Sequence, residues 1–163
     1  MVYFPEQGKN SISPYEGKAN LMEIIPQSPD EVKNNWDYFS TAIETVATKA
    51  KEDFTPEQVY QAALRGDATV FHVKEAGENR GVLVLTDHVD MYTGKSVLHV
   101  DMLYLTGPTL IEEMTELLDV IANSHKFDQI EFRSPRKGWF KYLNKAGFKA
   151  GATFTRGIEH GRK

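Results

Sequence analysis

The chain has 163 residues, of which 40% are hydrophobic, 26% charged and none cysteine. That length suits one domain around one core, and the lack of cysteine excludes disulfides, thiolate nucleophiles and cysteine-bound zinc. Nineteen basic against 23 acidic residues leave a net charge of −4, so no overall basic field for nucleic acid exists.

No apolar run approaches the ~18 residues that span a bilayer, and Met1–Asn20 has no basic-then-apolar leader pattern. Neither a membrane nor a nucleic-acid partner is expected. The basic residues crowd the C-terminal third, from Arg133 and Arg136 to Arg162 and Lys163. A local anion site stays open there.

Residues 1–20 hold Pro5, Gly8, Pro14 and Gly17 without any sustained period. They read as an irregular arm ahead of a single domain over 21–163. Leu21–Ile25 reads as a short first strand. Asp30 is a helix cap by type. Val32, Trp36, Phe39, Ile43, Val46 and Ala50 then recur at steps of three and four, giving one helix to about Lys51. Thr55-Pro56-Glu57 starts a shorter helix that ends after Leu64.

Three strands follow: Ala68–Lys74, Arg80–Val89 and Ser96–Leu105. They form an antiparallel meander whose turns hold Gly77 and Gly94, with tight connections at Asn79-Arg80-Gly81 and Tyr92-Thr93-Gly94-Lys95. Thr106-Gly107-Pro108 opens a helix whose apolar stripe is Leu110, Ile111, Met114, Leu117, Leu118 and Ile121. Asp128–Arg133 is a fifth strand. A short helix after Pro135 carries Trp139, Phe140 and Leu143. Gly147 stops it, and Phe148–Thr155 is the last strand.

Alternation puts His99 and Asp101 on one face of the fourth strand. A two-residue turn at Thr93-Gly94 sets His88 opposite His99, with Asp90 on the same face. One residue more or less in that loop sets Asp87 opposite His99 instead. A His/Asp cluster can deprotonate an amine, because histidine titrates near neutrality. A sheet face of polar pairs has the same pattern, and Glu131 and Arg133 on the next strand share that ambiguity. The spacing of these residues matches no standard ligand set, so no metal is expected.

The element order, and above all the tail Arg136-Lys137-Gly138-Trp139-Phe140-Lys141-Tyr142-Leu143-Asn144-Lys145-Ala146-Gly147-Phe148, resembles the GNAT acyltransferases. In those proteins a late helix ends in Gly-Phe and runs straight into a strand. The Arg-Lys-Gly-Trp start and the Thr55-Pro56-Glu57-Gln58-Val59 to Leu64-Arg65-Gly66-Asp67 segment look most like acetyltransferase-like proteins of tailed bacteriophages. The resemblance implies an α/β (α+β) fold: a mixed, mostly antiparallel central sheet with helices on both faces, in the order β-α-α-β-β-β-α-β-α-β.

It also implies acetyl-CoA as acyl donor and an amine as acceptor. In the family the phosphates lie on backbone N–H groups and a helix N-terminus after the fourth strand. The matching stretch is Leu105, Thr106, Gly107, Pro108, Thr109 and Leu110. It departs from the family pattern, with one glycine, no Arg or Gln at its head, and a proline that removes a donor. A backbone N–H of a splayed fourth strand, around Leu103, Tyr104 and Leu105, would polarise the thioester. Arg136 stands where relatives place a CoA-contacting Asn. The family's acidic tyrosine falls on Leu143. Tyr142, about 100° away around the helix, is the substitute acid, and His99 with Asp101 is the candidate base.

Three functions stay open. One is an N-acyltransferase in which the amine attacks the thioester directly. Another is a phage virion or accessory protein that kept the fold without the chemistry and binds a virion or host protein or forms a homo-oligomer. The third is a small inhibitor of a host protein. Resemblance to a catalytic family favours the first. The expected location is the host cytoplasm, or the virion.

Overall fold

In the computed structural model, residues 22–106, 110–133, 139–149 and 154–158 are described. The N-terminal arm, Gly107, Pro108, Thr109 and Arg136 lie outside them. Alternating burial of Met22 and Ile24 makes the first strand, β1 (Met22–Gln27). It is an edge of the sheet, which accommodates Pro26 and its missing donor.

The expected first helix is two helices. Ser28, not Asp30, caps α1 (Pro29–Asn34): its hydroxyl accepts from the Glu31 N–H at 3.2 Å, and the Glu31 carboxylate accepts from the Ser28 N–H at 2.8 Å. This reciprocal pair satisfies two donors that a helix start leaves open. Asn35 then leaves helical geometry (φ −124°, ψ 41°), and the chain resumes as α2 (Trp36–Ala50). Lys51, left-handed at φ 54°, ends α2. As expected, Thr55 caps α3 (Pro56–Leu64), again in a reciprocal pair, here with Gln58.

The meander is β2 (Thr69–Glu75), β3 (Glu78–Val89) and β4 (Ser96–Leu105), antiparallel throughout. Its first turn is Ala76-Gly77, both at positive φ, as a two-residue hairpin requires. Asn79-Arg80-Gly81, expected to form that turn, lies inside β3. Gly81 serves a different need, since a Cβ there would overlap the Tyr104 carbonyl oxygen. The second turn is closed by Asp90, whose carboxylate accepts from the N–H groups of Tyr92 and Thr93 at 2.9 and 2.8 Å.

Helix α4 (Leu110–Ser124) then crosses to β5 (Gln129–Phe132), which pairs parallel with β4. Helix α5 (Phe140–Lys145) leads to β6 (Phe154–Gly157), antiparallel to β5. The last strand therefore starts later than Phe148 within the described residues. Phe148 instead packs edge-on against Phe132, ring centres 5.2 Å apart. Gly147 takes the expected left-handed turn at φ 90°.

The sheet runs β1 to β6 in sequence order with helices on both faces. Helices α4 and α5 cover one face, over Leu83, Leu98, Val100 and Phe132. Helices α1 to α3 cover the other, over Val70, Val84 and Met102.

Candidate functional site

Two irregularities in β4 create an opening. The β3–β4 register slips between Val84 and Leu85, so Val84 pairs Met102 and Leu85 pairs Val100. Asp101 is the extra residue, a bulge that bends its strand. Beside it, the β4–β5 ladder stops at Val100↔Phe132, whereas β4 stays paired to β3 as far as Leu105. Among the described residues, β4 from Asp101 to Leu105 has an open edge where β5 has departed.

A cleft of about 400 Å³ occupies this opening. Val46, Ala50 and Phe54 form one side, Met102, Leu103 and Tyr104 the strand wall, and Phe132 and Trp139 the far side. Polar groups converge at one end. Arg133 donates to Asp101 at 3.3 Å and to Glu52 at 3.1 Å. His99 Nε2 lies 3.7 Å from Asp101 Oδ1, and His99 Nδ1 lies 2.6 Å from Glu131 Oε1. Glu52, Asp101 and Arg133 line the cleft, with His99 and Glu131 behind Asp101. A second hollow of about 390 Å³ adjoins this end and shares Glu52, Phe54, Asp101 and Arg133 with the first.

His99 and Asp101 thus meet as the alternation predicts, but their β3 neighbours are corrected. Thr86 stands opposite His99, His88 opposite Val97 and Asp87 opposite Leu98. The turn, with four residues between Asp90 and Lys95, is longer than expected and shifts the register past both alternatives. His88 remains diagonal to His99, ring centres 6.1 Å apart, and Asp90 is spent on its turn. Among the described residues, no group of three or more His, Asp or Glu side chains is placed to hold a metal ion, and no helix is long and apolar enough to cross a membrane.

A second polar feature lies under α2. His72 is 6% exposed, and among the described residues its Nε2 has no partner, as is true of the Tyr38 hydroxyl. Their rings sit 5.0 Å apart. Burial, then the nearby Lys74 charge, holds the His72 pKa below the ordinary value, partly offset by the Asn79 side chain. Burial, then Tyr104, pushes the Tyr38 hydroxyl up. Each shift disfavours the charged form.

No protein-family model and no curated protein matches the chain. Solved structures do. An acetyltransferase from Salmonella typhimurium that modifies the N-terminal serine of ribosomal protein L7/L12 aligns with a TM-score of 0.62 at 10% identity, covering 92% of this chain and 100% of that one. A GNAT-family acetyltransferase from Listeria monocytogenes aligns at 0.59 and 11% identity, covering 91% and 100%. A ribosomal L7/L12 α-N-protein acetyltransferase in complex with coenzyme A aligns at 0.60 and 11% identity, covering 91% and 98%. The chain has the GNAT fold.

Within the GNAT fold the remaining expected positions are placed as follows. Leu103 and Tyr104 line the cleft, and Leu105 is buried at the end of β4. The Thr106 N–H is already committed to the Arg80 carbonyl at 3.0 Å. Leu110 opens α4. Tyr142 packs against the core with the Lys141 ammonium 5.0 Å from its ring centre, away from the cleft wall, and Leu143 is fully buried. In the cleft, apolar walls adjoin a strand edge that is open among the described residues. Were acetyl-CoA bound there, Leu103 and Tyr104 would line its acyl end, whereas Leu105 lies outside the cleft lining. Its thioester would supply the activated acyl group.

Sequence reasoning missed Glu52, Phe54, Val46 and Ala50 as site residues. Phe54 carried a signal, as the one large apolar residue in the polar Lys51–Pro56 loop. Glu52 carried none, because its partner Arg133 is 81 residues away.

Proposed function

We propose that the protein is an N-acyltransferase that moves an acetyl group from acetyl-CoA to an amine. One observation carries this reading: Asp101 stands on the wall of a cleft at the open edge of β4, with His99 directly behind it. An ammonium must lose a proton before its nitrogen can attack, since a free lysine titrates at about 10.4. Asp101 attracts the cationic acceptor to the polar end of the cleft, and the Asp101–His99 pair takes the proton. A backbone N–H among Leu103, Tyr104 and Leu105 faces the thioester carbonyl and stabilises its developing charge. The amine attacks directly, without a covalent enzyme intermediate.

Tyr142 has no place in this scheme because it lies off the cleft. A thiolate is a fair leaving group without a dedicated acid, a free thiol titrating at about 8.5. Phosphate contacts from Gly107, Thr109 and Arg136 belong to the same reading, as does an amine acceptor on a protein. A phage setting rests on the sequence resemblance of the tail. Leu143, buried where the family places its acid, favours a second reading: a fold kept without chemistry, acting by protein–protein binding.

The test is turnover. The full chain with acetyl-CoA and a panel of amines, including peptide N-termini and lysine peptides, releases free thiol, and Asp101→Asn abolishes most of the release. No thiol release with any amine favours the second reading.

A further inference from the structure

We infer that Glu131 is a positioning residue: it holds the His99 imidazole with its proton on Nδ1, leaving Nε2 bare to receive the proton that Asp101 takes from the acceptor amine. This rests on the acyl-transfer reading above.

The two sides of His99 differ. A carboxylate only accepts hydrogen bonds, and a neutral imidazole has one donor nitrogen and one acceptor nitrogen. The 2.6 Å contact between Nδ1 and Glu131 Oε1 is a hydrogen bond, so Nδ1 carries the proton. The 3.7 Å separation between Nε2 and Asp101 Oδ1 is longer than any hydrogen bond. That is the distance expected of two acceptors facing each other. One added proton completes the link.

The sheet builds this arrangement. His99 and Glu131 are direct parallel partners on β4 and β5, so the contact follows from register and not from a loop. Both side chains are less than one-fifth exposed, 14% and 18%, which strengthens a charge-assisted hydrogen bond. The bulge at Asp101 turns that carboxylate into the cleft while keeping it beside the ring. Among the described residues, the ionisable groups facing this cluster include His88 from β3, Arg133 at the end of β5 and Glu52 from the α2–α3 loop.

The protons balance. An ammonium has three N–H bonds and the product amide has one. The nitrogen lone pair forms the C–N bond, and the C–S bond breaks with its electron pair left on sulfur. Of the two protons lost by nitrogen, one ends on that sulfur. The other passes through Asp101 to His99 Nε2 and then to solvent. The imidazolium formed in between is flanked by two carboxylates.

The experiment uses the full chain and two readouts. Nitrogen-15 NMR of the histidine rings reads the His99 tautomer without any substrate. Steady-state kinetics with acetyl-CoA and an accepted amine reads kcat and KM separately. The wild type shows the Nδ1–H tautomer. Glu131→Leu gives a mixed tautomer and a kcat lower on the order of 10²-fold, with KM for acetyl-CoA unchanged. Glu131→Gln, which still offers a carbonyl oxygen, recovers most of both. An Nε2–H tautomer in the wild type overturns the inference, as does Glu131→Leu with unaltered kcat. The wild-type spectrum decides the tautomer even if the leucine variant fails to fold. The Nδ1–H tautomer together with no turnover on any amine overturns the acyl-transfer reading and the proton's route, and leaves the Glu131–His99 assignment in place.

Discussion

On the α4–α5 face of the sheet, Leu83, Leu85, Leu98, Leu117 and Phe132 are at most 1% exposed and pack as a dry core. On the α1–α3 face, apolar residues such as Val70 and Val84 are interleaved with His72, His99 and Asp101. Buried polar groups cost stability unless each finds a partner. His99 finds Glu131, but among the described residues His72 Nε2 and the Tyr38 hydroxyl find none. The difference separates two tasks carried by one set of strands. One face holds the fold together, and in the acyl-transfer reading proposed above the other gives up some of that stability to place His99 and Asp101 beside a cleft.

This contrast is open to direct attack. The largest effect expected is on turnover: His99→Gln lowers kcat by about 10²–10⁴-fold while the unfolding midpoint hardly moves. Leu117→Ala does the reverse. It removes about 3 kcal/mol of stability by opening a cavity, measured by denaturant unfolding, and leaves the rate per folded molecule intact. If His99→Gln unfolds the chain, or Leu117→Ala spares it, the division between the faces is wrong.

Smaller effects follow from the unpartnered groups. The His72 pKa is lower in the folded chain than the ordinary value of 6.5, so the unfolded chain binds the proton first as pH falls. Its contribution to stability is complete above that value and is lost as pH drops toward the folded pKa. His72→Leu therefore flattens the acid side of the stability–pH curve, and an unchanged curve would remove His72 as its cause. Glu113, on α4, is an ionisable group on the other face. Burial, then Glu75, raises its pKa, and among the described residues its Oε2 has no partner. The neutral form is favoured on folding, so stability is lost as pH rises through the carboxylate range. Glu113→Gln raises stability at pH 7.5 and changes it little near pH 4, read from unfolding at both values.

Much of the scaffold was legible in the sequence because it is local. Thr55-Pro56 and Gln58 specify a helix start, and Gly147 specifies a stop. The break at Asn35 was not legible, because Val32, Trp36 and Phe39 keep helical spacing across it. Asp30 reads as the cap by type, although Glu31 stands three residues after Ser28, the spacing of the reciprocal pair that the helix start uses. In the site, alternation alone put His99 beside Asp101. The partners of that pair depend on tertiary register. Thr86 arrives opposite His99 because the chain turns over the four residues between Asp90 and Lys95, and Glu131, 32 residues away in sequence, arrives only through a parallel crossover. The tail showed the fold well but the chemistry poorly, since Tyr142 and Leu143 both pack inward.

The central claim is that the opening beside β4 receives acetyl-CoA. Calorimetric titration of acetyl-CoA into the full chain tests it most directly. The account predicts one-to-one binding in the micromolar range, and its loss in Ala50→Trp, where the indole fills the cleft from α2 while the variant stays folded. No heat from the unaltered chain, with no shift in its melting temperature, would contradict it.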